Sequence, residues 1–147
     1  MDRISRAQRS ANMRAVKSQD TGPEMLVRRA AHAMGLRFRL HKQDLPGRPD
    51  LTFARYRTAV FVHGCFWHGH AGCSRAKLPS SNFEFWSQKL KGNVERDRRN
   101  QEALERGGWH VAVVWQCQIP DLRAATEAVS RIPSLRRFAS RRSGGAS

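Results

Sequence analysis

The chain has 147 residues, of which 27 are Lys or Arg and 12 are Asp or Glu, so its formal net charge is +15. This length is typical of one domain with its own core, and the charge predicts a polyanionic partner such as nucleic acid. No apolar run approaches the roughly 20 residues that span a bilayer, and no apolar segment of a secretory signal follows the basic N-terminus. We therefore expect a cytoplasmic protein with no membrane partner. Its three cysteines favour a metal site over disulfides in that reducing compartment.

Residues 1–20 are polar and basic, and they predict a helix or arm lying on nucleic acid, with a disordered tail as the alternative. This segment carries Met13 and Arg14. The motif Thr21-Gly22-Pro23-Glu24 then predicts a helix start, with a Thr cap, a Pro in the first turn and a Glu three residues after the cap. Gly35 is expected to end this helix. Its predicted apolar face consists of Met25, Leu26, Ala30, Ala33 and Met34.

A short strand is predicted over residues 36–40, followed by a turn at 45–49. The stretch from Asp50 to Phe53 and the apolar run 58–62 predict a hairpin, with Asp50 at one end and His63 at the exit of the second strand. A long helix is predicted over 84–106, a buried strand over 109–115 and a last helix near Pro120. The apolar anchors expected on the long helix are Phe85, Trp86, Leu90, Val94 and Leu104.

These elements predict an α/β fold, in which helices flank a small central mixed β-sheet. The expected organisation is an N-terminal arm over 1–20, one folded domain over 21–135 and a basic tail over 136–147. Arginine, serine and glycine dominate the tail, which is therefore expected to be disordered.

The run from His63 to Cys73 carries two of the three cysteines, three histidines and an adjacent Phe-Trp pair. Within it, Cys65, His70 and Cys73 lie close together, and Cys117 follows a strand that could lie beside the one leading into Cys65. Three thiolates and one imidazole are a common closed tetrahedral set for structural zinc. The alternative is an ordinary buried thiol at Cys117 and a loop that is merely rich in histidine.

If those four residues bind zinc, His63 and His68 remain available. A neutral imidazole can act as a general base near neutral pH, and His68 would lie on a loop that zinc holds rigid. The alternative for His68 is a solvated side chain or a substitute zinc ligand.

Asp50 follows a Pro-Gly-Arg-Pro turn and begins a strand. A carboxylate there could bind Mg²⁺, which prefers oxygen ligands, with the carbonyl of Val62 as a second ligand, or it could only cap the turn. Glu24 is explained by the capping box, with a role near the metal or His68 as the alternative. Asp97 could orient a histidine or pair with arginine on its own helix.

The chain resembles the very-short-patch (Vsr) mismatch repair endonucleases of bacteria. The resemblance covers roughly residues 5–118, and several motifs in the same order carry it. They are Arg9-Ser10-Ala11-Asn12-Met13-Arg14, Asp20-Thr21-Gly22-Pro23-Glu24, Leu45-Pro46-Gly47-Arg48-Pro49-Asp50, His63-Gly64-Cys65-Phe66-Trp67-His68, Phe85-Trp86, Asn93-Val94-Glu95-Arg96-Asp97-Arg98-Arg99 and the strand from Trp109 to Cys117.

The resemblance implies a restriction-endonuclease-like fold and nicking of one DNA strand 5′ to the T of a T·G mismatch, which arises when 5-methylcytosine deaminates. By matching position, Asp50 becomes the Mg²⁺ ligand and His68 the catalytic base. His63, Glu24 and Asp97 join the surrounding network. Members of the family often have a longer histidine run where this chain has Gly69, Ala71 and Gly72.

The resemblance also implies which side chains enter the DNA. Phe66, Trp67 and Trp86 are expected to insert beside the mismatch from one groove, and Met13 from the other. Further contacts near the mispair are expected from Lys89 and Asn93. A T·G wobble pair stacks less well than a Watson–Crick pair, so inserting rings beside it costs less. A core position is the alternative for Trp86.

Three other functions were weighed against a mismatch-specific nicking enzyme. They are an endonuclease for a modified or sequence-defined site, a zinc-stabilised protein that binds distorted duplex without cutting it, and a basic RNA-binding protein. The spare histidines and Asp50 argue against the two binding functions, because neither function needs an acid and a base. We expect a monomer, since a single mismatch lacks two-fold symmetry, and by family analogy contact with mismatch-repair proteins.

Overall fold

A computed structural model describes residues 22–135 of the chain. The predicted N-terminal arm with Met13 and Arg14, the helix cap at Thr21 and the tail over 136–147 lie outside the described residues.

The described region contains a mixed four-stranded sheet flanked by helices, which confirms the predicted α/β architecture. The strands are β1 (Arg39–Leu40), β2 (Leu51–Phe53), β3 (Thr58–His63) and β4 (His110–Trp115), in the order β1-β2-β3-β4. The first three strands pair antiparallel, and β3 and β4 pair parallel. Parallel neighbours need a long crossover connection, and a 24-residue helix provides it.

The helices are α1 (Gly22–Ala33), α2 (Phe83–Arg106) and α3 (Leu122–Ser130). Alternation along β3 turns Val60 toward a core that it shares with α1 and α3, and turns Ala59 and Phe61 toward a second core containing Leu104 of α2. The sheet therefore lies between α1 and α3 on one face and α2 on the other. None of the helices within residues 22–135 is long and apolar enough to cross a membrane.

The predicted buried face of the first helix was partly wrong. Met25 is 41% exposed and Ala33 is also exposed. The buried residues are Glu24, Val27, Ala30 and Ala31. The helix is rotated relative to the prediction because a carboxylate, not an apolar side chain, occupies the inward position of its first turn.

Two other predictions needed correction. The first strand is only two residues long, Arg39–Leu40; it lies at the sheet edge, and Leu40 is 40% exposed. On α2, Phe85 and Val94 are exposed and do not anchor the helix, whereas Leu90 and Leu104 are buried as predicted. Phe85 contacts Trp86 and Val94 lies beside Gly69 of the loop after β3, so neither residue packs in a core of the described region.

Candidate active site and metal centres

The site is built where β3 ends. His63 is the last residue of the strand and projects to the same face as Ala59 and Phe61, toward α2. On α2, residues spaced three, four or seven apart share one helix face. That face carries Trp86, Leu90, Asn93, Asp97 and Leu104. One helix therefore brings a carboxylate, an amide and an aromatic ring to the end of the strand.

His68 and Asp97 form a close pair across this junction. The Nδ1 atom of His68 lies 2.6 Å from Oδ2 of Asp97, and both side chains are largely buried. The ring of His63 stacks on the ring of His68, with centroids 3.8 Å apart and planes 2° from parallel. The three predicted residues are therefore brought together, and the Asp97 carboxylate fixes the orientation of the His68 ring.

His63 is buried, with 4% of its surface exposed. Burial first, and then the neighbouring His68, lower the pKa of His63 from 6.5 to about 4. Its Nδ1 atom has no hydrogen-bond partner among the described residues. A neutral ring with an unsatisfied nitrogen can form a hydrogen bond with a water.

The predicted zinc ligands also converge. One donor atom from each of Cys65, His70, Cys73 and Cys117 lies within 4.8 Å of the other three, and Cys117 Sγ is 3.4 Å from His70 Nδ1. A backbone N–H at Arg75 is the main cause that lowers the pKa of Cys73 from 9.0 to about 7, which favours the thiolate that metals require. This sulfur and nitrogen donor set fits a tetrahedral zinc ion.

Local backbone turns make this convergence possible. The N–H of His70 donates to the carbonyl of Cys65 at 2.9 Å, and the N–H of His68 donates to the carbonyl of Gly64 at 3.2 Å. Gly69 adopts a φ of +59° between the two histidines, a conformation that favours glycine. Cys117 reaches the cluster because β4 pairs parallel with β3. Trp115 pairs with His63, so Cys65 and Cys117 each follow two residues after a paired position.

Trp115 links the zinc cluster to the histidine pair, and the sequence alone did not indicate this role. Its ring stacks on His70 with centroids 4.1 Å apart, and its edge meets His63 at 5.2 Å. Displacement of His70 would therefore be transmitted to His63 through a rigid ring.

On the other side of the β3 terminus, Asp50 lies beside the buried side chain of Glu24. Burial, followed by a hydrogen bond with Glu24, raises the pKa of Asp50 from 3.8 to about 8. Its Oδ2 atom accepts a hydrogen bond of 2.7 Å from the backbone N–H of Val62. Two carboxylates held this close favour a shared proton or a bound cation, and their oxygens are the ligands that Mg²⁺ prefers.

Two further residues contact Glu24, and sequence reasoning missed both. His41 Nε2 lies 3.0 Å and 3.1 Å from the two carboxylate oxygens, and Arg28 donates to Oε2. Glu24 is therefore more than a capping residue. The i,i+4 spacing of Glu24 and Arg28 on one helix is a local signal for their ion pair. No local motif signals the contact with His41, which lies 17 residues away along the chain.

The predicted DNA-inserting rings form one aromatic cluster. Phe66, Trp67 and Trp86 contact one another edge to face, with centroids 5.2–5.8 Å apart. All three are half-buried and belong to neither core, so the core alternative for Trp86 was wrong. The cluster continues to Phe85, which is 59% exposed and 5.2 Å from Trp86.

The two remaining DNA-contact predictions differ in their surroundings. Asn93 donates from Nδ2 to the carbonyl of Trp67 at 3.0 Å, so it fixes the backbone that carries the rings. Lys89 lies on the same helix and is exposed.

Stacked histidines, paired carboxylates and half-buried aromatic rings on a strongly basic chain are groups that could serve hydrolysis of nucleic acid. Residues 1–75 match the family model of the DNA mismatch endonuclease Vsr. A type II nicking enzyme of Xanthomonas oryzae, V.XorIIP, is 51% identical over 84% of this chain and 90% of the relative. The DNA mismatch endonuclease Vsr of Escherichia coli is 45% identical over 78% of this chain and 72% of the relative.

A third relative, the type II nicking enzyme V.NmeAIP of Neisseria meningitidis, is 38% identical over 89% of this chain and 93% of the relative. The chain belongs to the Vsr DNA mismatch endonuclease family, and it is an endonuclease. The family resemblance that the sequence motifs indicated is confirmed.

Proposed function

We propose that this endonuclease nicks one DNA strand 5′ to the T of a T·G mismatch and so initiates very short patch repair. The observation that carries the proposal is the arrangement of one loop. Trp67, in the aromatic cluster, and His68, paired with Asp97, are adjacent in sequence on a loop that the cysteines and His70 anchor. Recognition of a weakened base step and hydrolysis beside it are thereby coupled in space.

His68 is the general base in this mechanism. With Nδ1 directed at Asp97, its Nε2 atom is free to accept a proton from the attacking water. The Asp97 carboxylate stabilises the imidazolium that results, as in other histidine–carboxylate pairs. The neutral, buried His63 supports the His68 ring by stacking and excludes water from one of its faces.

Asp50 and the carbonyl of Val62 are proposed to bind the catalytic Mg²⁺. The N–H and C=O of an extended residue leave the strand on the same side, so the Val62 N–H bond to Asp50 supports a carbonyl facing the same region. Glu24 adds a second carboxylate there. A cation bound at these oxygens would stabilise negative charge on the phosphodiester and on the leaving oxygen.

The aromatic cluster is proposed to select the substrate. Unstacking a base step costs a few kcal/mol, and stacking on inserted rings returns part of that cost. The net cost of inserting the rings is therefore lowest in a duplex that a wobble pair has already weakened. One groove would receive the rings of Phe66, Trp67 and Trp86, and the opposite groove would receive Met13. The DNA backbone would be bound by Lys89, by Arg14 and by the net positive charge of the chain.

The zinc ligands are proposed to have a structural function. A closed set of three thiolates and one imidazole leaves no open coordination position, and zinc there would fix the loop that carries Trp67 and His68. The enzyme is proposed to act as a monomer on DNA in the bacterial cytoplasm, in contact with mismatch-repair proteins.

A strand-specific nicking assay tests the proposal. Duplexes that differ only in T·G or T·A, in several flanking sequences, are incubated with Mg²⁺ and the wild type, Asp50→Ala or Asp44→Ala. Asp44 is a matched control because it is a solvent-exposed aspartate near the same turn, paired only with Lys42. We expect nicking of the T strand in the T·G duplex alone, retained in Asp44→Ala and lost in Asp50→Ala. Tight binding of T·G duplexes without nicking in any flanking sequence would instead indicate a zinc-stabilised binding protein.

A further inference from the structure

Three elements bring a histidine to the carboxylates at the end of β3. Glu24 lies in the first turn of α1, His41 follows β1 and Asp50 precedes β2. One donor atom from each of the three lies within 4.8 Å of the other two. The group therefore contains an imidazole nitrogen as well as carboxylate oxygens.

The β1–β2 ladder explains why His41 faces Asp50. Leu40 pairs with Leu51, so the next position along each strand sets His41 opposite Asp50. The N–H of His41 donates to the carbonyl of Asp50 at 3.2 Å, which extends the ladder by one bond. His41 adopts a φ of +48°, and its side chain is only 15% exposed. Pairing of the two strands thus fixes its ring beside the carboxylates.

We propose that His41 Nε2 is a third side-chain ligand, beside Asp50 and Glu24, of the cation at this site, so that the site prefers a first-row transition ion such as Co²⁺ to Mg²⁺. The inference rests on the proposed function, which makes Asp50 a ligand of the catalytic cation. Mg²⁺ and Ca²⁺ favour oxygen donors throughout, whereas an imidazole nitrogen favours ions later in the first transition row. The three side chains supply two oxygens and one nitrogen, in addition to the carbonyl oxygen proposed from Val62.

Arg28 is compatible with this ligand set. It donates to Oε2 of Glu24, and its Nη2 atom is 3.5 Å from His41 Nε2. With both carboxylates ionised, they and the one guanidinium give the cluster one net negative charge. Arg28 therefore orients Glu24 while the cluster still attracts a cation.

Displacement of Mn²⁺ from the zinc-loaded, DNA-free protein tests the assignment. Bound Mn²⁺ is measured from its electron paramagnetic resonance signal, and Co²⁺ or Mg²⁺ is added as competitor. The ratio of the two competitor affinities is compared in wild type, His41→Gln and His32→Gln. His32 is a matched control because it is an exposed histidine in the last turn of α1. Zinc content is measured before and after each titration, so that exchange at the cysteines is recognised.

We expect His41→Gln to lower the preference for Co²⁺ over Mg²⁺ at least about tenfold, the usual size of a lost ligand or its support, and His32→Gln to leave it unchanged. An unchanged ratio in His41→Gln, or an equal loss of both affinities, overturns the assignment and leaves His41 as a support for Glu24. Mn²⁺ binding that survives in Asp50→Ala also overturns it. Since no DNA is present, these outcomes are independent of whether the enzyme nicks T·G duplexes.

Discussion

Nδ1 of His68 lies 2.6 Å from Oδ2 of Asp97, although the two residues are 29 positions apart and belong to a loop and to the long helix α2. The contact leaves only the Nε2 atom of His68 to act on a substrate. It also aligns the ring with His63, which stacks on it within 2° of parallel. The carboxylate therefore determines both the tautomer and the orientation of the proposed base.

Asp97→Asn should lower the nicking rate at saturating Mg²⁺ by about 10²–10⁴-fold, the usual contribution of general base catalysis, because an amide cannot stabilise the imidazolium. Binding of T·G duplex should change little. Single-turnover nicking and a binding titration measure the two effects. Glu95→Gln is the matched control, since Glu95 is an exposed carboxylate on the same helix that pairs with Arg98. A rate equal to that of Glu95→Gln would exclude a role of Asp97 in the chemical step.

The raised pKa of Asp50 predicts how stability depends on pH without a bound Mg²⁺. The folded state retains a proton up to about pH 8, which the unfolded chain loses near 3.8, so the free energy of unfolding falls as pH rises through this range. The lowered pKa of His63, about 4 against 6.5, acts in the opposite direction between pH 4 and 6.5. Of these two residues, only Asp50 makes the free energy of unfolding depend on pH above pH 6.5.

Wild type should therefore lose about 2 kcal/mol between pH 6.5 and 8 relative to Asp50→Asn, since one proton is worth about 1.4 kcal/mol per pH unit. Urea unfolding of the zinc-loaded proteins at several pH values measures the difference. Adding Mg²⁺ at pH 8 should stabilise wild type and not the variant. If the free energy of unfolding changes equally with pH in the two proteins, Asp50 is already ionised in the folded state.

Cys117→Ala should release zinc and lower the free energy of unfolding by about 3 kcal/mol or more, because binding of structural zinc contributes directly to folding. A fall in Tm of about 10 °C or more is expected. Metal analysis of the purified protein and thermal unfolding give the two values. His110→Ala is a suitable control, being an exposed histidine at the start of β4, the strand that leads to Cys117. Full zinc occupancy in Cys117→Ala would remove this residue from the ligand set.

Sequence predicted those parts of the site whose geometry is local or follows from strand pairing. Cys65, His70 and Cys73 lie within nine residues, and Cys117 joins them because the apolar runs of β3 and β4 pair as neighbours. The hairpin that brings Asp50 to Val62 was predicted for the same reason. The prediction of the Cys/His cluster and that of the hairpin needed only the hydrophobic pattern of the strands and the position of a turn. The prediction that β4 is buried was wrong except at Val114, because β4 lies at the sheet edge.

The contacts of Glu24 could not be predicted in this way. A glutamate in the first turn of a helix has a sufficient local explanation as a cap or as the i,i+4 partner of Arg28, and only the folded chain shows that α1 turns it inward to His41. The inward position of Glu24 also explains why the apolar face of α1 was misassigned. Trp115 was missed because a tryptophan in a strand is usually a core residue, and its contact with His70 depends on the loop.

Trp67→Ala should reduce the preference for T·G over T·A duplex about tenfold, as stacking of one base on an aromatic ring contributes about 1–3 kcal/mol. Binding of matched duplex, which depends on phosphate contacts, should change less than about twofold. Trp109→Ala is the comparison, because that ring lies outside the aromatic cluster, beneath the Arg57 guanidinium at 4.9 Å. Equal losses on both duplexes would show that Trp67 acts only through the fold.

Gly69 offers a test of how closely the loop must pack on α2. Its φ is +59°, and a Cβ atom there would lie 2.9 Å from Cγ2 of Val94. Gly72 has a similar φ of +72°, but a Cβ atom there would meet nothing within 4 Å. Both Gly→Ala substitutions carry the left-handed backbone cost of about 1–2 kcal/mol, and only Gly69→Ala adds a clash.

Gly69→Ala should therefore be less stable than Gly72→Ala by about 1 kcal/mol or more. Its nicking rate should fall further than its stability explains, because Gly69 joins His68 to His70. Adding Val94→Ala should restore part of the stability, since Val94 is 43% exposed and its own truncation costs little. Urea unfolding and single-turnover nicking of wild type, Gly69→Ala, Val94→Ala and the double variant complete a double-mutant cycle. A coupling energy near zero would show that the loop moves away from α2 without cost, and that its position is set by the metal ligands alone.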